Sequence, residues 1–485
     1  MKTLHPIFLF TAMMFCLSSC GNDWLDTYPS NRIETTLAIA TIDDARSAIH
    51  GVYFQIQRGE YGGGRMIWHG DVTGDDMRTH GNNITRSGAT YRYEYNEVSV
   101  PSALWEQPYS VIRFANNILE LIDNLDVPEG REAERNWIKG EALMARAMAH
   151  FDICRIYGYP YTKDNGASLG ACIVTSPIVA DSKPARSTVA ECYSQVIIPD
   201  LKAAIPLLTD DRTASRGRFN RWAAKLLLSR VYLYMDDNEN ALREAEECIT
   251  GAEAAGFALY TNSNYLEQWQ TKFSMESLFE IVNITGQNSG ASGIPFWCAA
   301  NASNAYHELG ITQPFYELLS DDPDDVRLSL LRVGVNYPDL YPAFILKYTN
   351  GGSDAQISNV TLFRLSEAYL NAAEAAVKLG NQNEKAVTYL HAITNRANPV
   401  NSVTGTVTLE MVLNERRKEL FGEGHRSFDL LRNNMKIIRA NTEHILLERF
   451  EIDRNDYFCV LPVPIQEIDA NPNIIQNPGY GNLSR

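Results

Sequence analysis

Two stretches of this chain impose the same constraint: an amphipathic helix, a tight polar break, and a returning helix with small residues at the contact. In the first, Trp222 to Met235 is followed by Asp236-Asp237-Asn238-Glu239 and then by Ala241 to Ile249. Ser229, Ala241 and Ala245 fall where two antiparallel helices must approach closely, and bulkier side chains there would hold them apart. In the second, Leu362, Leu365, Tyr369, Ala372, Ala376 and Leu379 make one stripe. Gly380 stops that helix, and Ala386, Leu390 and Ile393 line the return.

The twelve-residue step from Ser229 to Ala241 is the tetratricopeptide spacing between small residues of paired helices. The thirteen-residue step from Ala373 to Ala386 fits it loosely. The repeat is not continuous, so the pattern predicts helix pairs within one domain and not a solenoid. More helix lies upstream. One begins near Thr41-Ile42-Asp43-Asp44, and another carries Ile138, Ala142, Ala145, Ala149, Ile153 and Ile156 on one face until Tyr157-Gly158-Tyr159-Pro160 stops it. A third runs from Val189 to Leu208, with a bend expected at Pro199. The chain is therefore mostly α, with a helical scaffold over roughly 41–250 and 361–450. Residues 251–360 differ, being rich in Gly, Asn, Ser and aromatics, with strand-like Leu278 to Val282 and a glycine-rich loop at 286–293. Irregular insertions on a rigid scaffold are where binding groups tend to sit.

At the N-terminus, Lys2 precedes an apolar stretch from Ile7 to Leu17, too short to span a bilayer, which ends in Leu17-Ser18-Ser19-Cys20-Gly21. Small residues leading into a cysteine resemble a lipobox. Residues 1–19 then form a lipoprotein signal peptide and Cys20, acylated, begins the mature domain, 20–485. Several acyl chains hold a protein on a membrane without any spanning helix. The formal charge of −16 argues against nucleic acid, which demands a basic face. Beyond Cys16 and Cys20, six cysteines are scattered with no CxxC and no ligand spacing to histidine. They are small core residues, or one or two pairs are disulfides; the spacing does not choose between these.

Catalytic templates find little purchase. Gly59-Glu60-Tyr61-Gly62-Gly63-Gly64 lacks the Lys-Ser/Thr of a phosphate loop, and HExxH and GxSxG are absent. No pair of carboxylates stands out as glycosidase acid and nucleophile. Asp321-Asp322-Pro323-Asp324-Asp325 lacks the spacing of a calcium loop. No metal or cofactor is expected. Glu415, Arg416, Glu419, Glu423, Arg426, Asp429 and Arg432 alternate in sign at near-helical spacing, which points to ion pairs bracing helices. A loop can instead bind a ligand through aromatic faces set beside amides and other directional polar groups. Trp297, with Asn301, Asn304 and Tyr306 just beyond it, is the leading platform; the other role open to Trp297 is a loop anchor buried against the scaffold. Tyr91, with Asn82 and Asn83 upstream, is the second. Trp24, Trp68, Trp105, Trp137 and Trp222 lie in scaffold-like segments and are assigned to packing.

Several segments in order resemble the SusD/RagB family. They are Trp24-Leu25-Asp26 to Pro29; Glu141 to Met148 with Tyr157-Gly158-Tyr159-Pro160; Leu365 to Ala375 with Asn395-Arg396-Ala397; Glu415 to Arg432; and Leu461-Pro462-Val463-Pro464 through Asn477-Pro478-Gly479-Tyr480. The resemblance implies a SusD-like fold with four tetratricopeptide-like pairs and irregular ligand-binding segments on one side. It also implies a non-enzymatic lipoprotein at the outer-membrane surface, which binds oligo- or polysaccharide and delivers it to a TonB-dependent, SusC-like barrel. A peptide-binding relative of the RagB kind shares the same motifs. The family's ligand residues sit in variable loops, so no motif carries them onto positions here.

Overall fold

The computed structural model describes residues 39–79, 88–179, 181–333, 343–440, 444 and 449–481. Cys20, the Trp24–Pro29 segment, Asn82 and Asn83 lie outside them. Helix α1 (Ile42–Gln57) begins at a reciprocal cap: Thr41 Oγ1 accepts from the Asp44 amide at 3.2 Å, and Asp44 Oδ2 accepts from the Thr41 amide at 2.9 Å. Two amides that the helix leaves unpaired are thus satisfied. The glycine run then turns the chain into α2 (Arg65–Val72). It serves close packing: a Cβ on Gly64 would stand 2.1 Å from the Ser292 carbonyl oxygen.

Helices α3 (Ala103–Leu121) and α4 (Glu132–Tyr157) form a hairpin on which α1 lies. After α4, the expected third helix is broken. Residues Val189–Cys192 are α-helical, Tyr193–Ile197 make a π-turn, and Ile198–Ala204 resume the α-helix. Pro199 has no N–H to give the Gln195 carbonyl and its ring crowds that oxygen, so the widened turn falls just before it.

The two predicted pairs are present as α5 (Arg221–Tyr234) with α6 (Asn238–Ala254), and, after the short α7 (Ile294–Cys298), α8 (Leu365–Leu379) with α9 (Asn383–Ala397). Ser229 is fully buried at the first contact, its Oγ donating to the Ala241 carbonyl at 3.0 Å. Gly380 ends α8 at φ 76°, a conformation costly for any residue with a Cβ. Helix α6 packs on α8, so the pairs stack. The fold is mostly α, as expected.

The excursion between the pairs is more ordered than its composition suggests. Strand β1 (Met77–Thr79) joins a sheet of order β1-β3-β5-β4, with β3 (Leu309–Ile311), β4 (Leu331–Val333) and β5 (Ala343–Ile345). Strands β2 (Ser277–Ile281) and β6 (Val360–Arg364) pair antiparallel, and β6 runs directly into α8, closing the excursion back onto the scaffold.

The charged run over 415–432 supplies most of α10 (Leu409–Leu420) and all of α11 (Arg426–Arg432); Glu415, Arg416, Glu419, Asp429 and Arg432 are buried, and Glu423 and Arg426 half-buried. Glu419 lies against Arg364 (2.7 Å), Arg396 (2.6 Å) and Arg327 (3.4 Å). Glu423 takes Arg364 and Lys347, Arg416 takes Asp429, and Arg432 takes Glu374 at 2.5 Å. The guanidiniums hold Glu374 and Glu419 far below the usual carboxylate range in spite of burial. Within the 321–325 run, Asp325 neutralises Arg327 at 2.6 Å and Asp322 accepts from Asn398 and Asn401.

Two family-like motifs distant in sequence meet at the end of α4. Asn477 Nδ2 donates to the carbonyls of Tyr157 and Leu461, and the Leu461 amide donates to Ile156. Another close contact ties α2 to the turn before α11: a Cβ on Gly70 would come within 2.3 Å of the Gly424 carbonyl oxygen. Backbone faces backbone there, so neither side can yield by rotating a side chain. Gly70→Ala is expected to cost about 2 kcal/mol through overpacking; a denaturant midpoint equal to that of the parent would show that the two segments part freely.

Candidate functional site

Helix α7 and the segment to Glu308 form a folded-back loop at the edge of the mixed sheet. The Ala300 amide donates to Ile345 on β5 at 3.1 Å, the Glu308 amide to Trp297 at 2.8 Å, and the Tyr306 amide to Phe296 at 2.5 Å. Arg332 Nη1 holds the Ala300 carbonyl at 2.7 Å. A second turn buttresses the loop. The Ser303 amide donates to Ser353, Asn304 Nδ2 donates to Asp354 Oδ1 at 2.8 Å, and Asn304 Oδ1 accepts from the Ala355 amide at 2.9 Å. His307 turns the chain at φ 52°, a left-handed position that a residue with a Cβ occupies only when its surroundings enforce it.

The surface so made is polar and aromatic. Ser303 and Asn304 are exposed; Asn301, Tyr306 and His307 are half-buried. Tyr306 lies against Phe296 at 5.6 Å. Among the described residues, Asn301 Oδ1 is buried with no hydrogen-bond partner, an acceptor that the protein itself leaves unused. Burial lowers the pKa of His307, which favours its neutral form. Of the acids nearby, Glu308 is buried, while Asp354 Oδ1 accepts from both Asn304 and the Gln356 amide. The arrangement suits an uncharged, hydroxyl-rich ligand better than an ion.

Trp297, Asn301 and Tyr306 thus come together in one loop, but with different tasks. Trp297 is 1% exposed, stacked on Trp68 with ring centroids 5.0 Å apart and 13° between planes, its indole N–H on the Ala291 carbonyl at 3.1 Å. The ring presents no face to solvent. All five residues of α7 are buried, so the helix anchors the loop, and the tryptophan is the buried anchor of the two roles open to it. Tyr91 is likewise fully buried, capped by the Arg439 guanidinium 5.1 Å from its ring and stacked with His444. Of the five ligand candidates, Asn301 and Tyr306 are the described residues with side chains at the surface.

A second concavity escaped the sequence reading. A groove of about 400 Å³ runs between α3 and the C-terminal segment, lined by Trp105, Glu106, Tyr109, Arg113, Glu467 and Asn471 among others. Burial and the neighbouring Glu106 push the Glu467 carboxyl up. Its walls lie more than 350 residues apart in sequence, so no local pattern marks it.

A helical scaffold of stacked pairs displaying a loop-built polar surface defines a class, and comparison with known proteins identifies it. Residues 341–480 match the model of the SusD family, and residues 23–233 match a model described as starch-binding, associating with the outer membrane. A solved structure from Bacteroides vulgatus is 46% identical, covering 92% of this chain and all of its own, with TM-score 0.86. A SusD superfamily protein from Bacteroides thetaiotaomicron is 35% identical, covering 90% of this chain and all of its own, with TM-score 0.85. The starch-binding protein SusD of Bacteroides thetaiotaomicron is 33% identical over 149 residues, 28% of this chain and 26% of its own. The chain belongs to the SusD family of glycan-binding proteins.

Proposed function

We propose that this protein, residues 20–485 as one domain, is a non-catalytic surface lipoprotein anchored through Cys20. It holds an oligo- or polysaccharide on the Asn301–Tyr306 loop and passes it to a TonB-dependent, SusC-like outer-membrane barrel. The observation that carries the reading is that loop itself: half-buried amide and phenol groups, braced from behind by the Trp297–Trp68 stack and from the side by Asp354. Ligand would lie along Tyr306, with Asn301 and Ser303 on its hydroxyls. The match to starch-binding proteins that associate with the outer membrane supports both ligand class and location. Among the described residues, no helix is long and apolar enough to cross a membrane, which suits a lipid anchor.

Purified protein should be retained on insoluble polysaccharides and not by a mixed peptide digest, and should leave soluble oligosaccharide uncleaved. Tyr306→Ala should weaken the retained glycan about tenfold, the loss of roughly 1.4 kcal/mol expected for one stacking face. Retention by peptides alone would overturn the ligand class. Undiminished affinity in Tyr306→Ala, with loss in Tyr109→Ala, would move the site to the groove beside α3.

A further inference from the structure

Three thiols surround one guanidinium behind that groove. Cys154 lies on the last turn of α4, Cys192 ends the short helix Val189–Cys192, and Cys172 sits between them in sequence; none is more than 3% exposed. A Cβ built on Gly170 would meet Cys154 Sγ at 2.9 Å and Cys192 Sγ at 3.3 Å, so the two sulfurs flank a single backbone position. The two thiols are close enough to shift each other's protonation: Cys154 lowers Cys192, and Cys192 adds to the rise that burial imposes on Cys154. Cys172 points elsewhere, its Sγ toward the Pro184 carbonyl at 3.4 Å.

The cation is Arg186, 6% exposed. It donates to the carbonyls of Gly170, Ile475, Tyr157 and Leu169 and to Asn477 Oδ1, all neutral acceptors. Other buried arginines of this protein, such as Arg364 and Arg432, face carboxylates. Among the described residues Arg186 has no ion pair; burial raises the Cys154 and Cys172 thiols in spite of it, while Cys192 is lowered, by Cys154 first and by the Ala171 backbone and Arg186 after it.

We propose that Cys154 and Cys192 form a disulfide that staples the end of α4 to the 189–192 helix. The oxidant is a disulfide, either a small-molecule one or a protein disulfide donor of the cell envelope. The Cys192 thiolate attacks one oxidant sulfur, and the first oxidant thiolate leaves. The Cys154 thiolate then attacks Cys192 Sγ in the mixed disulfide, and the second leaves. The two cysteine protons end on the two released thiols; the protein loses two electrons and the oxidant gains them. Because both sulfurs are sealed in the folded state, exchange belongs to folding, before α4 and the 189–192 helix close over Gly170.

The test is peptide mapping without reductant, on protein exported with its own leader and on protein refolded in a mixture of reduced and oxidised glutathione. Both samples are expected to yield the Cys154 and Cys192 peptides joined, lighter by two hydrogens, and separated by reductant, while Cys248, Cys298 and Cys459 alkylate freely. The Cys154→Ser/Cys192→Ser variant should melt several degrees below the oxidised parent and together with the reduced parent. Quantitative alkylation of both cysteines in the refolded sample would overturn the proposal, and so would a Cys172–Cys192 linkage. Joined peptides in the refolded sample alone would confine the bond to in vitro folding and overturn its formation in the envelope.

Discussion

Glu419→Gln is expected to lower folding stability by roughly 3–5 kcal/mol, the range for breaking a buried ion pair by removing one partner. Glu419 is fully buried, and its two oxygens face three guanidiniums, those of Arg327, Arg364 and Arg396. Each of those cations retains another carboxylate, from Asp325 and Glu415, from Glu276 and Glu423, and from Glu276 respectively. The amide keeps the shape and one acceptor but not the charge, so Arg396 is left with Glu276, which it shares with Arg364, and each guanidinium loses an anion at its side in a low-dielectric interior. The control is Glu451→Gln at the pair with Lys436, where both side chains are more than half exposed; water already screens those charges, and a change below about 1 kcal/mol is expected. Denaturant midpoints of the two variants give the comparison. Equal, small losses would mean that the 415–432 run decorates the fold and does not hold it.

That run shows how far the sequence could be read. Its alternation of sign identified paired charges, yet the main partners, Arg327, Lys347, Arg364 and Glu374, come from the turn before β4, the segment after β5, β6 and α8, and local spacing carries no record of them. The helix pairs were legible because a helix writes its buried face every three or four residues and two close helices write small residues at the crossing. The start of α1 was legible for the same local reason. The excursion over 251–360 was not, because short strands such as β3 and β5 join residues far apart and leave no period. Trp297 illustrates the limit at the site. Composition put an aromatic beside amides, but only the fold brings in Trp68, 229 residues earlier, to cover its face. Arg186 is similar: one arginine in a polar stretch becomes notable only when its acceptors prove to be neutral.

His150 gives the second large effect, and it appears as pH falls. The ring is fully buried; its Nδ1 contacts the Arg146 carbonyl at 2.8 Å, and its Nε2 faces the Val174 amide at 3.2 Å. An amide can only donate, so Nε2 must be the acceptor and Nδ1 carries the proton. Protonation would set an N–H against an N–H, and burial together with the nearby Arg146 holds the pKa down to about 4. An unfolded histidine titrates near 6.5. Between these values the unfolded chain binds the extra proton and the native state does not, so the contribution is complete above about pH 6.5 and is lost down to about pH 4, roughly 3 kcal/mol in all. Other groups move the total curve. His69, also held down to about 4, adds to the loss, whereas Asp71, pushed up to about 8 by burial, gains stability as pH falls from 8 toward 4. Comparison with His150→Gln cancels these, because that variant keeps them all. The parent should be the more stable protein at pH 7.5, and its advantage should shrink by about 3 kcal/mol by pH 4. Parallel stability curves over that interval would mean that the native ring takes up its proton as easily as the unfolded one, and that the Val174 amide does not oppose it.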